Sequence, residues 1–229
     1  MYSHGISRVT RSKQDARLAY NQMSRWYDFI AGGSERKFMD LGIKQLHPQP
    51  GEHILEIGCG TGHGLISLAM AVSSSGYIFG LDISDGMLTQ TRAHLSKKGL
   101  SYPVYLQLGD ACHLPYSSNV FSAVFFSFTL ELFDTPDIPL VLAECERILK
   151  ADGRIGIVCL SKQGTLPVRI YERFHEIMPA LVDCRPILVQ PILIQAAFKI
   201  IATKSKNMWG LPVDIVTAKI TKEPIGGKE

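Results

Sequence analysis

The 229-residue chain lacks the features that tie a protein to a membrane, to nucleic acid or to an oxidising compartment. Its five cysteines, at 59, 112, 145, 159 and 184, are odd in number and show neither CxxC nor Cys/His ligand spacing. A disulfide framework is thereby excluded, no metal is expected, and the thiols read as reduced and mostly buried in a cytoplasmic protein. Charge of one sign is also missing. There are 24 basic against 21 acidic residues, a net charge of +3, and no run of five like charges, so no nucleic-acid partner is expected. The N-terminus, MYSHGISRVTRSKQDAR, has no apolar core, which argues against a signal peptide. The most apolar later stretch, 187 to 202, is broken by Gln190, Pro191, Gln195 and Lys199 and is too short and polar to span a bilayer. No internal repeat or low-complexity segment appears.

What is present is a regular alternation. With 46% hydrophobic residues, a chain of this length supports one domain and its own core. Residues 1–14 read as a flexible polar tail and 15–229 as a single domain. Within it, 15–47 carry helical spacing (Leu18, Met23, Trp26, Phe29, Ile30, then Phe38, Leu41, Ile43 and Leu46 after a Gly32-Gly33 break) and read as a helical lid. Residues 48–160 follow as a core of strands at 53–57, 77–83, 104–108, 123–128 and 154–160. Helices are expected at 65–72, 85–98 (closing at Gly99) and 138–149. Such βαβ units predict an α/β fold with a mostly parallel sheet covered on both faces. In 161–229 the spacing predicts a helix over 168–182, then strands 197–205 and 213–221 whose short connection makes them antiparallel.

The stretch HILEIGCGTGHG, residues 53 to 64, carries the functional signal. Glycines occupy 58, 60, 62 and 64 directly after a strand, where backbone can approach a ligand and a following helix turns its first N–H groups towards it. The dinucleotide fingerprint G-x-G-x-x-G does not fit, because its sixth position falls on His63 or Leu65. The phosphate-binding loop does not fit either, since no lysine is present. What remains is E-x-G-x-G-x-G, with Glu56 before the first glycine.

That pattern resembles the first motif of class I S-adenosylmethionine-dependent methyltransferases, and three further motifs follow in order. The second strand ends in Asp82, where the family has the acid that accepts both ribose hydroxyls, and two oxygens of one carboxylate suit a vicinal diol. Leu108-Gly-Asp110-Ala111 matches the motif that reaches the adenine amino group. Arg147 to Arg154, R-x-L-K-x-x-G-R, matches the turn before the fifth strand. The resemblance covers 15 to 160 and is greatest to the ubiquinone/menaquinone-biosynthesis C-methyltransferases, through Tyr20, Trp26, Tyr27 and Asp28. It departs from them after the fourth strand, where Thr129-Leu-Glu131-Leu stands. The resemblance implies a Rossmann-like seven-stranded sheet, strand seven beside strand five, with helices on both faces and an N-terminal helical lid. It implies S-adenosyl-L-methionine as cofactor and S-adenosyl-L-homocysteine as product, bound by Tyr20, Glu56, Ile57, Gly58, Cys59, Gly60, Gly62, Asp82, Ile83, Met87, Gly109, Asp110, Ala111, Ser127 and Phe128.

The implied reaction is in-line methyl transfer to a small, hydrophobic acceptor, in which positioning is the main contribution and a base is needed only for a protonated nucleophile. The catalytic candidates are Glu131, Tyr27, Tyr20 and His175. His113, between adenine-side residues, is expected to pack. Peripheral membrane contact and a homodimer stay open. So do two other readings: a cofactor-binding module without catalysis, and a methyltransferase acting on RNA or protein. The absence of an Asn/Asp-Pro-Pro-Tyr/Phe element after the fourth strand counts against the second of these.

Overall fold

The alternating strands and helices assemble into one seven-stranded sheet in the computed structural model, which describes residues 8–9, 11–24, 32–99, 103–163, 167–168, 171, 173 and 184–221. The elements are α1 (Lys13–Met23), α2 (Gly32–Leu46), β1 (His53–Ile57), α3 (His63–Val72), β2 (Tyr77–Asp82), α4 (Asp85–Lys98), β3 (Val104–Leu108), β4 (Phe121–Ser127), a single 3-10 turn (Leu130–Leu132), α5 (Ile138–Ile148), β5 (Leu149–Leu160), α6 (Val189–Gln195), β6 (Phe198–Met208) and β7 (Leu211–Ile220). The order across the sheet is β3-β2-β1-β4-β5-β7-β6. β1 to β5 run parallel, while β7 is antiparallel to both β5 and β6. This is the mostly parallel sheet, with strand seven beside strand five, that the sequence implies.

Successive side chains of a strand point to opposite faces, and here both faces are apolar. Leu55, Ile57, Val124 and Phe126 pack beneath α5 and α6, while Ile54, Ile78, Ala123, Phe125 and Val158 pack beneath α2 and α3. Helix α2 lies flush on the sheet because Gly42 has no side chain: a Cβ there would come within 2.3 Å of Val158 Cγ2 and 3.1 Å of Phe125.

Helix ends follow local chemistry. α4 starts where the Ser84 hydroxyl accepts the Met87 N–H and stops at Gly99 in the left-handed conformation. α1 starts at Lys13, two residues before the expected spacing, because Ser12 accepts the Asp15 N–H. Gly32 and Gly33 form the first turn of α2. β5 begins at Leu149 instead of 154, with Leu149 paired to Phe121 ahead of an irregularity in the β4 register. α6 was not expected: Pro191 reads as a break, yet it sits in the first turn, where its missing N–H would have had no helical acceptor. Most of the helix expected over 168–182 lies outside the described residues, as do Trp26 and Asp28.

The R-x-L-K-x-x-G-R motif ties pieces of backbone together. Arg147 donates to the Leu114 and Tyr116 carbonyls and to Glu144. Arg154 donates to the Leu46 and His47 carbonyls and pairs with Glu52 at 2.7 Å. β6 is the outermost strand on its side, and Lys199, Lys204 and Lys206 on it are exposed. No helix among the described residues is long and apolar enough to cross a membrane.

Candidate functional site

Strand order reverses between β1 and β4, because the chain moves from β1 outward to β2 and β3 and then returns to place β4 on the other side. Ligands of open parallel sheets bind at the carboxyl ends of the strands beside such a point. A cleft opens there. Its floor is Ile57, Gly58 and Gly60 after β1, Leu81, Asp82 and Ile83 after β2, Gly109, Asp110 and Ala111 after β3, and Ser127, Phe128 and Thr129 after β4.

The glycine loop is fixed by backbone and side-chain bonds. The Gly58 and Cys59 amides both donate to the Leu81 carbonyl, and the Gly60 amide donates to Asp82 Oδ2 at 2.9 Å. Thr91 Oγ1 donates to the Gly60 carbonyl at 2.7 Å. Gly58 has φ +67°, and a Cβ there would lie 2.2 Å from the Thr129 methyl, so the β1 and β4 loops meet without a side chain between them. Gly64 has a different reason: inside α3, its missing Cβ makes room for the Glu56 carboxylate, whose Oε1 would be 2.1 Å away.

Two acids in the cleft differ in their surroundings. Asp82 is buried; its Oδ1 accepts the Ser84 N–H at 2.8 Å and its Oδ2 the Gly60 N–H. Burial pushes its carboxyl up to about 6, against the pull of those amides. The Ile83 amide also acts on this carboxyl, and with about four lone-pair sites on its two oxygens it keeps acceptor capacity. At Asp110 burial also acts upward, but Lys13 Nζ at 2.6 Å and the Cys112 N–H outweigh it and hold the carboxyl below its usual range. Glu56 lies behind the loop, 2% exposed, with its pKa raised to about 8 by burial and then by Asp82. Its Oε2 has no hydrogen-bond partner among the described residues.

The cleft walls also use residues from the chain's start. Val9, Arg11, Lys13, Ala16 and Tyr20 line it, with the Arg11 guanidinium 5.5 Å over the Tyr20 ring. Arg8 grips Asp134 through Nε and Nη2 at 2.6–3.0 Å, and the Val9 amide donates to the same carboxylate at 2.9 Å. Asp134, with Leu132, Phe133 and Asp137, makes the wall beyond β4. Phe128 enters it with φ +50°, an uncommon conformation for a large side chain, held by its amide bond to the Val158 carbonyl and an edge contact with Phe38.

Of the residues named from sequence as cofactor ligands, Tyr20, Ile57, Gly58, Gly60, Asp82, Ile83, Met87, Gly109, Asp110, Ala111, Ser127 and Phe128 are brought together in the cleft. Glu56, Cys59 and Gly62 stand behind its lining: Cys59 is buried, and Gly62 caps α3 with φ +85°. The catalytic candidates are not gathered. Tyr20 lines the cleft, whereas Tyr27 and His175 lie outside the described residues. Glu131 points away from the cleft: it is wholly buried, its Oε1 accepts the Leu160 N–H at 3.1 Å, and burial raises its pKa to about 8. His113 is exposed, not packed, because its loop leaves only Ala111, Cys112 and Leu114 facing inward. Leu132, Phe133, Asp134 and Asp137 went unread in the sequence, where no periodicity marks a wall. The Ser12-Lys-Gln-Asp15 capping pattern was a signal that the chain orders before residue 15.

Among the described residues no group of three or more His, Cys, Asp or Glu side chains is placed to hold a metal ion. The chemistry of the residues present fits S-adenosylmethionine. The space beside Gly60 is open to 4 Å where a Cβ would stand, and the buried Asp82 faces the cleft.

Comparison with known proteins agrees with this geometry. A family profile described as a methyltransferase domain matches residues 54–153. The chain is 33% identical over 173 residues to a demethylmenaquinone methyltransferase of Lactobacillus johnsonii, covering 72% of this chain and 68% of the relative. It is 31% identical over 166 residues to the demethylmenaquinone methyltransferase of Symbiobacterium thermophilum, covering 71% of this chain and 64% of that relative, a little under two thirds of its length. In fold it resembles the Burkholderia thailandensis 1,6-didemethyltoxoflavin-N1-methyltransferase, solved with S-adenosylhomocysteine bound, with a TM-score of 0.65, 16% identity, and 95% of each chain covered.

Proposed function

Because the chain belongs to the class I S-adenosylmethionine-dependent methyltransferases of the menaquinone group, we propose that it methylates a small, apolar, quinone-type molecule in the cleft at the β1/β4 switch. The observation that carries this reading is Asp82. It is a buried carboxylate at the end of β2, fixed by two backbone amides, with acceptor capacity left for a diol. When bound, the cofactor supplies an activated methyl group on a sulfonium together with its leaving group.

The chain's own residues bind and orient. Asp82 accepts the ribose hydroxyls. Asp110, once Lys13 shares or releases it, accepts the adenine amino group beside Ile83 and Met87. Gly58 and Gly60 allow close backbone approach to the amino acid portion, and the Glu56 carboxyl packs behind them against Gly64. Phe128, Leu132 and Phe133 offer an apolar wall to the acceptor, and Val9, Ala16 and Tyr20 exclude water from above. Such positioning contributes up to about 7–11 kcal/mol to a displacement of this kind. Glu131 does not line the cleft, whereas Tyr20 and Lys13 from the chain's start do. The named relatives act on demethylmenaquinone by their names, and that supports the acceptor class.

The test has two stages. Titration calorimetry with S-adenosylhomocysteine should show binding in the micromolar range. Methyl transfer from labelled S-adenosylmethionine to a reduced demethylated naphthoquinone in detergent should then yield a labelled, extractable product. No binding refutes the cofactor site; binding without transfer to any quinol refutes the acceptor.

A further inference from the structure

Behind the cleft's far wall lies a buried guanidinium that the reading above does not use. Arg185 is wholly buried. Its Nε donates to the Glu131 carbonyl at 3.1 Å, its Nη1 to Thr135 Oγ1 at 3.0 Å, and its Nη2 to the Phe133 carbonyl. All three acceptors fall within five residues of one loop. Between the 3-10 turn, closed by the Leu132 amide on the Thr129 carbonyl, and the turn in which the Asp137 and Ile138 amides donate to the Asp134 carbonyl, Phe133 is extended. The arginine arrives from a segment that is itself anchored: the Ile187 amide donates to the Leu160 carbonyl, the Lys162 amide donates to the Ile187 carbonyl, and Cys184 reaches the Phe128 carbonyl.

The other side of the same loop faces the cleft, through Leu132, Phe133 and Asp134. The cofactor-side residues Asp82, at the end of β2, and Asp110, just after β3, share no hydrogen bond with Arg185, Glu131, Phe133 or Thr135 among those described; the link near them is Lys13, which pairs with Asp110 and, at 3.6 Å, with Asp137. We propose that Arg185 is the positioning residue of the acceptor subsite: by holding the carbonyls of Glu131 and Phe133 and the Thr135 hydroxyl at once, it sets where the Leu132–Asp134 wall stands and so which acceptors fit. The proposal rests on the methyl-transfer reading for the word acceptor, but the placement of the wall does not. The guanidinium spreads its donors over three nitrogens in one plane and so reaches three separated acceptors, whereas the ammonium of lysine gathers its three donors on a single atom.

The experiment compares wild type with Arg185→Lys and, because loss of a buried arginine can prevent folding, with Thr135→Val, which removes a single acceptor. Hydrogen exchange followed by mass spectrometry reads the loop directly. Arg185→Lys should speed exchange across residues 129–137 by roughly 10-fold or more, and Thr135→Val should speed it less, while residues 57–64 and 80–90 stay unchanged. Calorimetry with S-adenosylhomocysteine should give affinities within about 3-fold of wild type for both variants, since neither touches the cofactor half. With a quinol acceptor established, the acceptor KM should rise and the relative rates on acceptors of different size should change. Exchange that rises evenly through the chain, or does not rise at 129–137 in either variant, overturns the proposal. Failure of transfer to quinols with the exchange pattern intact refutes the acceptor and leaves the wall assignment standing.

Discussion

Replacing Glu131 by Gln should make the protein less sensitive to alkaline pH. The carboxyl is fully enclosed; Oε1 receives the Leu160 amide and Oε2 has no partner among the described residues. Burial holds its proton to about pH 8, against 4.5 for a free glutamate. Between those values the folded state binds the proton that the unfolded chain has already released. Stability therefore falls as pH rises through this window and levels off above it. A displacement of that size corresponds to roughly 5 kcal/mol over the whole window, an upper figure because the site can relax when it ionises. The amide keeps the shape and an oxygen for Leu160, and it never ionises. Urea unfolding of both proteins from about pH 5 to about pH 9 should show the variant gaining about 2–5 kcal/mol relative to wild type across that range. Glu56 and Asp82, also raised by burial, are common to both proteins and cancel in the difference. Parallel stability curves would refute the reasoning and mean that water or an unseen donor reaches Oε2.

Asp82→Ala should weaken S-adenosylhomocysteine binding by roughly 10-fold or more in calorimetry, since it removes a charged acceptor and frees the Gly60 amide. Gly58→Ala should destabilise the fold by about 2–4 kcal/mol in thermal unfolding, because a left-handed backbone and a contact with Thr129 act together; Thr129→Ser in the same chain should recover part of it. Arg8, Asp134 and Lys13 are held largely by partly exposed ion pairs, so about 0.5 M salt should speed trypsin cleavage after Arg11 and Lys13 relative to a control peptide.

Most of the sheet was legible because its signals are local. Apolar runs bounded by glycine and proline gave β1 to β4, and Ser84 and Gly99 bounded α4 to the residue. The floor of the cleft was legible for the same reason, since it is made of the first residues after each strand. Its walls were not. Arg8 and Asp134 are 126 positions apart, and no pattern in either neighbourhood announces the pairing. Glu131 looked like a cleft residue because it follows β4; the 3-10 turn rotates it inward, and a turn of three residues has no period to read. α6 was missed because seven residues with proline in the first turn are too few to show a helical period.

The lysines of β6 bear on how copies of this chain could meet. An outer strand offers unpaired backbone groups to any other strand, and charge along it is a common deterrent. Lys199, Lys204 and Lys206 line this edge, and Lys199 already stands opposite Lys219 of β7. Joining two sheets edge to edge here would bring two rows of lysine to one seam. The opposite edge, β3, has no such guard; Tyr105 and Leu108 are exposed there, and Tyr105 stacks on Phe79. The sheet thus carries a row of lysines along one edge only, and strand pairing between copies would meet less charge at β3.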